Sequence, residues 1–406
     1  MAVNLMEPSQ LLNVDGVELG VAQAGIRYAE RDDVLLMRFV EGALTSAVFT
    51  QNVFCAAPVH VAKSHIASMS PRALLINSGN ANAVTGDQGM RAAQDSCSMV
   101  AKVLGCEVNE VLPFSTGVIG EQLPMAAMQS GIDLAVKNLQ PTNWLNAAKA
   151  IMTTDTLPKA FSEKVVIGGE KITITGISKG SGMICPNMAT MLAYIVTDAK
   201  VNQSTLDKIT TNAANESFNS ISVDGDTSTN DAFVVTATQC ANNMMISEAS
   251  SLEKKQLQSV VTRVAQKLAQ AIVRDGEGAT KFVEVNVRGG DSLEDCASVA
   301  YTLAHSPLVK TALFASDPNW GRLLMAIGRA PVSKMDPDKV NVRVNGLAIV
   351  SFGQPDTLYS EEKGQAVFNE SELVIDVELG DSLFQKTVWT TDLSHEYVTI
   401  NAEYRS

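Results

Sequence analysis

One threonine stands where a glycine-containing loop turns into a nearly apolar run. The loop, residues 178–188, reads SKGSGMICPNM, and the run that follows, residues 189–196, reads ATMLAYIV. A neutral threonine hydroxyl is a weak nucleophile, so it needs a base close to it. If the peptide bond between Ala189 and Thr190 is cut, the new α-amine of Thr190 has a pKa of ~8 and can accept the hydroxyl proton. The pattern fits a threonine that serves as both nucleophile and base.

The residues before Thr190 suit such a cut. Ala189 is small and leaves its own carbonyl open to attack, and Gly180 and Pro186 can hold an unusual backbone path in the loop. The same residues also fit a simpler interpretation, because threonine is common in strands and a loop precedes most strands. From this stretch alone, both interpretations stay open.

A second motif, STGVIG at residues 115–120, follows the apolar-rich stretch EVLPF. It could be a tight turn that ends a strand, or a set of exposed backbone N–H groups that holds an anion or oxyanion. The spacing of its glycines is not that of a dinucleotide-binding fingerprint, and the chain contains no GxxxxGK[ST] phosphate-binding loop. The motifs therefore give no support to nucleotide-dependent chemistry.

The charge of the chain argues against several classes of partner. Its 406 residues carry a net charge of −13, which on average repels nucleic acid and anionic membranes. Its first residues lack the basic and apolar regions of a signal peptide, and no apolar run reaches the ~18 residues of a membrane span. We expect a cytoplasmic protein with no nucleic-acid partner and no membrane partner.

The cysteines and histidines do not form a metal-binding pattern. Six cysteines are scattered without a CxxC pair, and His60 and His65 are off the i,i+4 spacing that puts two ligands on one helical face. We therefore expect neither a disulfide framework nor a metal site. A Ser-His-Asp triad is disfavoured but stays open, because triads assemble in space rather than in sequence.

The spacing of apolar residues predicts mixed α and β structure. Helical spacing dominates the middle of the chain, including the long amphipathic stretch 251–273, and β-branched residues flank Gly168-Gly169 as in a hairpin. The C-terminal region reads mostly as strands, including residues 385–404. This is an α+β or layered α/β pattern, and the change of composition near residue 283 predicts domains 1–283 and 284–406.

Seven motifs together resemble those of one enzyme family, and they occur in the family's order. They are NSGNANA (77–83), STGVIG (115–120), KGSGMICPNMATMLAYIVTDA (179–199), VDGDTSTND (223–231), RDGEGATKF (274–282), DPNWGR (317–322) and NAEYRS (401–406). On these motifs the chain is identified as a member of the ornithine acetyltransferase family, also called glutamate N-acetyltransferase, which belongs to arginine biosynthesis. The resemblance extends from residue 77 to residue 406.

The resemblance implies that the chain cuts itself between Ala189 and Thr190. The products would be an α chain of residues 1–189 and a β chain of residues 190–406. Thr190 would then be the catalytic nucleophile that carries the acetyl group.

The resemblance also assigns an oxyanion hole and substrate contacts. Thr116 and Gly117 would form the oxyanion hole, where a hydroxyl and a backbone N–H stabilise the developing negative charge. Glu277 suits the ammonium of ornithine and Lys179 suits a substrate carboxylate, although their sequence context alone fits a solvated carboxylate and a solvated cation. The residues that would contact the substrates, in addition to Thr190, are Thr153, Lys179, Glu277, Asn401 and Ser406.

The implied activity is acetyl transfer in two steps, from N-acetylornithine to Thr190 and from Thr190 to glutamate, with ornithine and N-acetylglutamate as products. It requires no metal and no organic cofactor, and it leaves acetyl-CoA open as a further acetyl donor. The implied fold is a layered αββα catalytic domain with a smaller β-rich C-terminal domain. The implied assembly is an α2β2 heterotetramer of the cleaved chains.

Two other functions stay open at this point. An amidase or aminopeptidase could use the same threonine nucleophile with water as the acceptor, and it would release acetate without any need for glutamate. A binding protein for ornithine-like amino acids would bind its ligand without forming an acetyl ester on Thr190. Neither accounts for STGVIG and the Thr190 segment together as well as acetyl transfer does.

Overall fold

The computed structural model describes residues 2–185, 191–332 and 334–403. Three residues with predicted roles, Ala189, Thr190 and Ser406, lie outside the described residues. The strands are β1 (Val17–Ala22), β2 (Val34–Phe39), β3 (Leu44–Phe49), β4 (Ala73–Asn80), β5 (Val111–Val118), β6 (Lys159–Ile167), β7 (Glu170–Lys179), β8 (Leu192–Thr197), β9 (Ile221–Ser222), β10 (Ala232–Ala237), β11 (Phe282–Arg288), β12 (Asn341–Val344), β13 (Leu347–Ser351), β14 (Gln354–Pro355), β15 (Glu372–Glu378) and β16 (Gln385–Thr391). The α-helices are α1 (Ala57–Ser68), α2 (Gly86–Leu104), α3 (Met125–Lys137), α4 (Trp144–Ala150), α5 (Gln203–Asn215), α6 (Ser251–Arg274), α7 (Leu293–Ala304), α8 (Pro307–Phe314), α9 (Trp320–Gly328), α10 (Glu361–Phe368) and α11 (His395–Ala402).

The chain divides into two compact units, each assembled from segments that are far apart in the sequence. The large unit consists of Met6–Asn219 and Asp226–Ile272. The small unit consists of Met1–Leu5, Ser220–Gly225 and Val273–Ser406. The domain boundary that the sequence predicts near residue 283 stays a prediction.

Two sheets face each other in the large unit. One has the strand order β1-β2-β4-β5, and the other has the order β3-β10-β8-β7-β6. Their facing sides contribute alternate apolar residues to one buried core, as the alternation of side chains along a strand requires. Across this core the rings of Phe114 and Tyr194 meet edge to face, with 5.3 Å between their centroids.

Helices cover the outer faces of both sheets. α1, α2 and α3 pack on the first sheet through buried residues such as Cys97 and Ile132. α5 packs on β3 and β10, and α6 lies so close to β7 that a Cβ on Gly176 would be 2.9 Å from Leu268. The layers therefore follow one another as α, β, β and α, which confirms the fold class predicted from the sequence.

The long helix α6 matches the amphipathic stretch predicted from the sequence. Its apolar residues, such as Leu268 and Ile272, are buried, and on its outer side Arg263 forms an ion pair with Glu163 of β6. Among the described ranges, no helix combines the length and the apolar character that crossing a membrane requires.

The small unit is built on a mixed sheet with the strand order β14-β13-β12-β15-β11-β16-β9. Val283, Val285 and Val287 of β11 join helices α7, α8, α9 and α10 in one buried core. The residues between these valines are polar, and Glu284 accepts a hydrogen bond from the indole N–H of Trp389 at 2.9 Å. One face of the sheet is thus apolar and covered by helices, and the opposite face is polar.

The structure confirms the predicted hairpin but corrects the predicted C-terminal strands. β6 and β7 pair along their whole length around the two glycines of their turn, both of which have positive φ. The prediction of strands through residues 385–404 is wrong beyond Thr391, because β16 ends there and α11 follows. Ser394 caps α11 by accepting a hydrogen bond from the N–H of Tyr397, and this start signal outweighs the β-branched residues of the segment.

Candidate functional site

β5 ends in a backbone arrangement that requires glycine. Gly117 has a φ of +136°, and a Cβ there would lie 2.3 Å from the carbonyl carbon of Gly79 on β4. The ladder between β4 and β5 is irregular at this point, because Thr116 is opposite both Ser78 and Asn80. An irregularity of this kind leaves backbone groups outside the regular ladder, as an oxyanion hole needs.

Thr116 lies on the face of its sheet that is directed toward the second sheet. Leu112 and Phe114 of β5 both belong to the core between the sheets, so alternation places the Thr116 side chain on the same face. Thr116 is 8% exposed. Ser115, which points to the opposite face, lies 2.6 Å from the side-chain oxygen of Asn77 and donates its hydroxyl hydrogen to it. Thr116 and Gly117, the predicted oxyanion hole, therefore lie near the carboxyl end of β5, with the Thr116 side chain on the face that is directed toward the second sheet.

A buried aspartate joins two segments that carry predicted substrate contacts. Asp155 accepts hydrogen bonds from the N–H of Thr153 at 2.9 Å and from the N–H of Gly180 at 2.7 Å. It also accepts one from the ammonium of Lys159 at 2.6 Å. Because Gly180 directly follows Lys179, Asp155 fixes the backbone of Thr153 relative to the end of β7.

The electrostatic environment keeps Asp155 ionised. The side chains of Asp155 and Lys159 are fully buried and form an ion pair. Burial alone would raise the pKa of Asp155, but the charges of Lys159 and Lys179 and the hydrogen bond from Gly180 lower it, and the result is a pKa well below the usual range. Asp155 is thus a fixed negative charge that organises the donors around it.

Lys179 is the last residue of β7, and it is half-buried. In the sheet it lies opposite Leu192, the first residue of β8. Ile177, two residues earlier on β7, belongs to the core between the sheets, so alternation directs Lys179 to that same inner side. The large unit therefore places Thr116 and Lys179 on facing sides of its two sheets.

Asp231 is a second buried carboxyl, and the sequence analysis does not single it out. It is 3% exposed and directly precedes β10, which pairs in parallel with β8. The next residue, Ala232, donates its N–H at 3.0 Å to the carbonyl oxygen of Met191, the residue that follows Thr190. Burial raises the pKa of Asp231 well above its usual range, although hydrogen bonds from Ser228 and the charge of Lys179 oppose the shift. Among the residues that the structure describes, its Oδ2 has no hydrogen-bond partner.

The neighbouring residue, Asn230, connects the two sheets. Its side-chain amide donates to the carbonyl oxygen of Ala81 at 2.5 Å and to that of Ser115 at 3.0 Å. Asn230 therefore brings the carboxyl end of β5, which carries Thr116, close to the amino end of β10. Sequence reasoning missed this residue as well, and the VDGDTSTND motif that contains it is the signal that could have found it.

Glu277 and Asn401 meet in the small unit. The side-chain amide of Asn401, on α11, donates to Oε2 of Glu277 at 2.8 Å, and Glu277 is 9% exposed. The loop that carries Glu277 is fixed from the segment after β16. Asp392 accepts two backbone N–H groups of this loop, at 2.8 and 2.9 Å, and the hydroxyl of Ser394 donates to the carbonyl oxygen of Gly278 at 2.6 Å. These contacts orient the Glu277 carboxylate.

The site residues predicted from the sequence divide between the two units. Those in the large unit are Thr116, Gly117, Thr153 and Lys179. Those in the small unit are Glu277 and Asn401. Their catalytic and binding roles stay predictions.

Comparison with known proteins places nearly the whole chain in one family. Residues 18–406 match the profile of the ArgJ family. A protein of Pseudomonas syringae pv. tomato, named arginine biosynthesis bifunctional protein ArgJ, is 52% identical over 406 residues, which is 100% of both chains. A protein of the same name from Pseudomonas fluorescens is 50% identical over 406 residues, again 100% of both chains.

A solved structure supports the same relationship. The crystal structure of arginine biosynthesis bifunctional protein ArgJ from Bacillus halodurans aligns with a TM-score of 0.50 and 34% sequence identity. The alignment covers 52% of this chain and 99% of the Bacillus halodurans chain. The solved chain is therefore about half as long as this one.

The substitution Asp155→Asn should destabilise the protein strongly at neutral pH. It leaves the Lys159 ammonium buried without its counter-charge, which costs about 3–5 kcal/mol of unfolding free energy. Because folding lowers the pKa of Asp155, its contribution is present above its unfolded pKa of ~3.9 and is lost as the pH falls below that value. Urea unfolding at several pH values should show that the unfolding free energies of the wild-type protein and the variant converge in acid.

The matched control is Asp207→Asn, which changes an exposed carboxylate on α5 that accepts a hydrogen bond from Gln203. We expect this control to change the unfolding free energy by less than about 0.5 kcal/mol. If Asp155→Asn behaves like this control at pH 7, the buried ion pair does not organise the site as described.

Proposed function

This chain belongs to the ArgJ family and is an acetyltransferase of arginine biosynthesis, and we propose that it forms an acetyl ester on Thr190 during the reaction. Its substrates are small molecules: it moves the acetyl group of N-acetylornithine to glutamate. The observation that carries the proposed mechanism is the arrangement at the edge of the large unit. There, the Asn230 side chain is hydrogen-bonded to Ser115 near the end of β5, and the N–H of Ala232 is hydrogen-bonded to the carbonyl of Met191, the residue next to Thr190.

The first step that we propose is self-cleavage. The hydroxyl oxygen of Thr190 attacks the carbonyl carbon of Ala189, the peptide C–N bond breaks, and an ester joins the two residues. Water then hydrolyses this ester, which leaves a carboxylate on Ala189 and a free α-amine on Thr190. The fragments are residues 1–189 and residues 190–406.

The length of the solved relative supports this proposal. Each proposed fragment contains about half of the 406 residues. The Bacillus halodurans chain covers 52% of this chain and is itself matched over 99% of its length, so its length agrees with that of a cleaved fragment.

The second step is formation of the acetyl ester. The Thr190 hydroxyl attacks the acetyl carbonyl of N-acetylornithine and gives its proton to the Thr190 α-amine. The Thr116 hydroxyl and the Gly117 N–H stabilise the oxyanion of the tetrahedral intermediate. The resulting ammonium returns the proton to the departing nitrogen, and ornithine leaves.

The third step repeats this chemistry with a different nucleophile. The amine of glutamate attacks the ester carbonyl and loses a proton to the Thr190 α-amine. The bond between the acetyl carbon and the Thr190 oxygen breaks, the hydroxyl recovers its proton, and N-acetylglutamate leaves. The same oxyanion contacts serve both transfers, because both pass through a tetrahedral intermediate on the same acetyl carbon.

The remaining site residues would bind the charged ends of the substrates. We assign Lys179 to a substrate carboxylate and Thr153, whose backbone Asp155 holds in place, to a neighbouring polar contact. We assign the Glu277 carboxylate, oriented by Asn401, to an ammonium group, and Ser406 to a further polar contact. These roles follow the family resemblance residue by residue.

Three further properties belong to the same proposal. The two Pseudomonas relatives are named bifunctional. We infer that acetyl-CoA, whose thioester can acetylate the same hydroxyl, is a second acetyl donor. We also infer an α2β2 heterotetramer of the cleaved chains, located in the cytoplasm.

Acetyl transfer is favoured over an amidase or aminopeptidase function because the matched family and relatives are biosynthetic and cover nearly the whole chain. The two activities differ only in the acceptor, since water in place of glutamate would hydrolyse the same acetyl-threonine ester.

Purified protein should form N-acetylglutamate from glutamate with N-acetylornithine as the donor, and also with acetyl-CoA. Mass spectrometry should detect an acetyl group on Thr190 when donor is supplied without glutamate. Acetate release at the same rate with and without glutamate would indicate the hydrolase instead. Product from N-acetylornithine alone, and none from acetyl-CoA, would contradict the second donor but not the transferase.

The substitution Thr190→Ala should leave one intact chain. Without the hydroxyl there is no attack on the Ala189 carbonyl, so the protein should fold but neither cut itself nor transfer acetyl groups. Thr190→Ser should cut more slowly, because serine lacks the methyl group that restricts the rotamer. Denaturing electrophoresis should resolve wild-type fragments of about 20 and about 23 kDa from the chain of 43.2 kDa.

N-terminal sequencing of the larger fragment provides the decisive control for this prediction. The fragment should begin Thr-Met-Leu-Ala, as residues 190–193 do. A different first residue, or two fragments from Thr190→Ala, would show that the Thr190 hydroxyl does not make the cut.

The value of kcat/KM for acetyl transfer should fall as the pH is lowered through the pKa of the Thr190 α-amine. A free α-amine has a pKa of ~8, and burial would move it lower, because burial disfavours the charged form. Only the neutral amine can accept the hydroxyl proton. A rate that is constant between about pH 5 and pH 9, with chemistry shown to be rate-limiting, would contradict the amine as base.

A further inference from the structure

Asn230 takes part in none of the proposed chemical steps, yet its contacts reach both sheets of the large unit. It is 5% exposed, and its side-chain oxygen accepts the hydroxyl hydrogen of Thr229 at 2.6 Å. Its two amide hydrogens are directed to the carbonyl oxygens of Ala81 and Ser115. A buried amide with all of these bonds made is held in one orientation.

The bond to Ser115 fixes the direction of the peptide group that directly precedes the predicted oxyanion hole. The carbonyl of Ser115 and the N–H of Thr116 belong to the same planar peptide unit, so fixing the carbonyl also fixes the N–H on the opposite side. The adjacent Gly117 is held by its contact with Gly79, where a Cβ would not fit. Asn230, which lies just before β10 of the second sheet, thus fixes the backbone near the end of β5.

The segment that begins with Asn230 is also bonded to the residue that follows Thr190. The N–H of Ala232 donates to the carbonyl oxygen of Met191 at 3.0 Å. The Asn230 side chain and the Ala232 backbone therefore connect the end of β5 to the start of β8.

We propose that Asn230 is a positioning residue, whose side-chain amide sets the distance between the Thr116-Gly117 backbone and the start of β8. This inference rests on the proposed function, because it assumes that the acetyl carbonyl lies between Thr190 and those two residues. Asn230 would touch neither substrate nor the reacting atoms. Its effect would appear in the rates of both acetyl transfer steps and of self-cleavage, since all three use the same oxyanion contacts.

The expected effect is large because catalysis depends on geometry to within a fraction of an ångström. A displacement of ~1 Å between a nucleophile and its oxyanion donors can lower the rate by ~10²-fold. Substrate binding through side chains such as Lys179 depends much less on the distance between the nucleophile and its oxyanion donors. Loss of the amide should therefore lower kcat much more than it raises KM.

The test is Asn230→Leu, which keeps a similar side-chain volume and removes both donors. With cleaved protein quantified by mass spectrometry, we expect kcat for N-acetylglutamate formation to fall ~10²-fold and KM for N-acetylornithine to change by less than about threefold. Ornithine affinity measured by calorimetry should also stay within about threefold, which a general loss of structure would not permit. A folded variant that stays uncut also supports the proposal.

The matched control is Asn212→Leu, at an exposed asparagine of α5 whose side-chain amide donates to the side-chain oxygen of Gln258 of α6 at 3.3 Å. It should transfer acetyl groups at the wild-type rate. If Asn230→Leu does not fold, Asn230→Asp takes its place, because the shape is kept and a carboxylate cannot donate. The same split between kcat and KM is expected.

Two results would overturn the inference. A folded Asn230 variant with the wild-type kcat, or one in which only KM changes, would show that the amide does not position the oxyanion contacts. If the wild-type protein itself forms no N-acetylglutamate, the proposed function fails first. If the wild-type protein is active and the Asn230 variant has the same kcat, only the positioning role of Asn230 is contradicted.

Discussion

The packing of two sheets face to face is the interaction on which the large unit depends. Phe114 and Tyr194 meet across the interface, and alternate residues of both sheets are removed from water there. Burial of apolar surface contributes roughly 25 cal/mol per Å², so this shared core sets the position of every strand in the two sheets. Polar residues are excluded from such a core, and they collect where β5, β7, β8 and β10 begin or end. The candidate site lies at this rim for that reason.

At the rim, hydrogen bonds replace apolar packing as the means of fixing the chain. Asp155, Asn230 and Asp231 are each at least nine-tenths buried, and a buried polar group that lacks partners costs free energy. Asp155 and Asn230 therefore hold the backbone groups around them in one arrangement, which pre-organises the strand ends before a substrate arrives. Asp231 departs from this pattern, because its Oδ2 lacks a hydrogen-bond partner within the described part of the chain.

Family membership and fold give different kinds of information about the function. A layered αββα fold is compatible with many activities, so it does not assign a reaction. The similarity to the ArgJ family over residues 18–406 does assign one, but it does not explain how particular atoms perform it. The structure contributes that explanation where it can be traced through contacts, as with Gly117 against Gly79 in the large unit and Asn401 on Glu277 in the small unit.

The sequence alone determined the features that neighbouring residues control: the β6–β7 hairpin, the long amphipathic helix α6, and the motifs that identify the family. It misassigned α11, where the cap at Ser394 outweighs β-branched residues. Only the tertiary structure decided that Asn230 bonds to Ser115 and that Gly180 and Thr153 share Asp155. Such contacts leave no trace in local patterns, because their partners come together only when the strands that carry them pack into sheets.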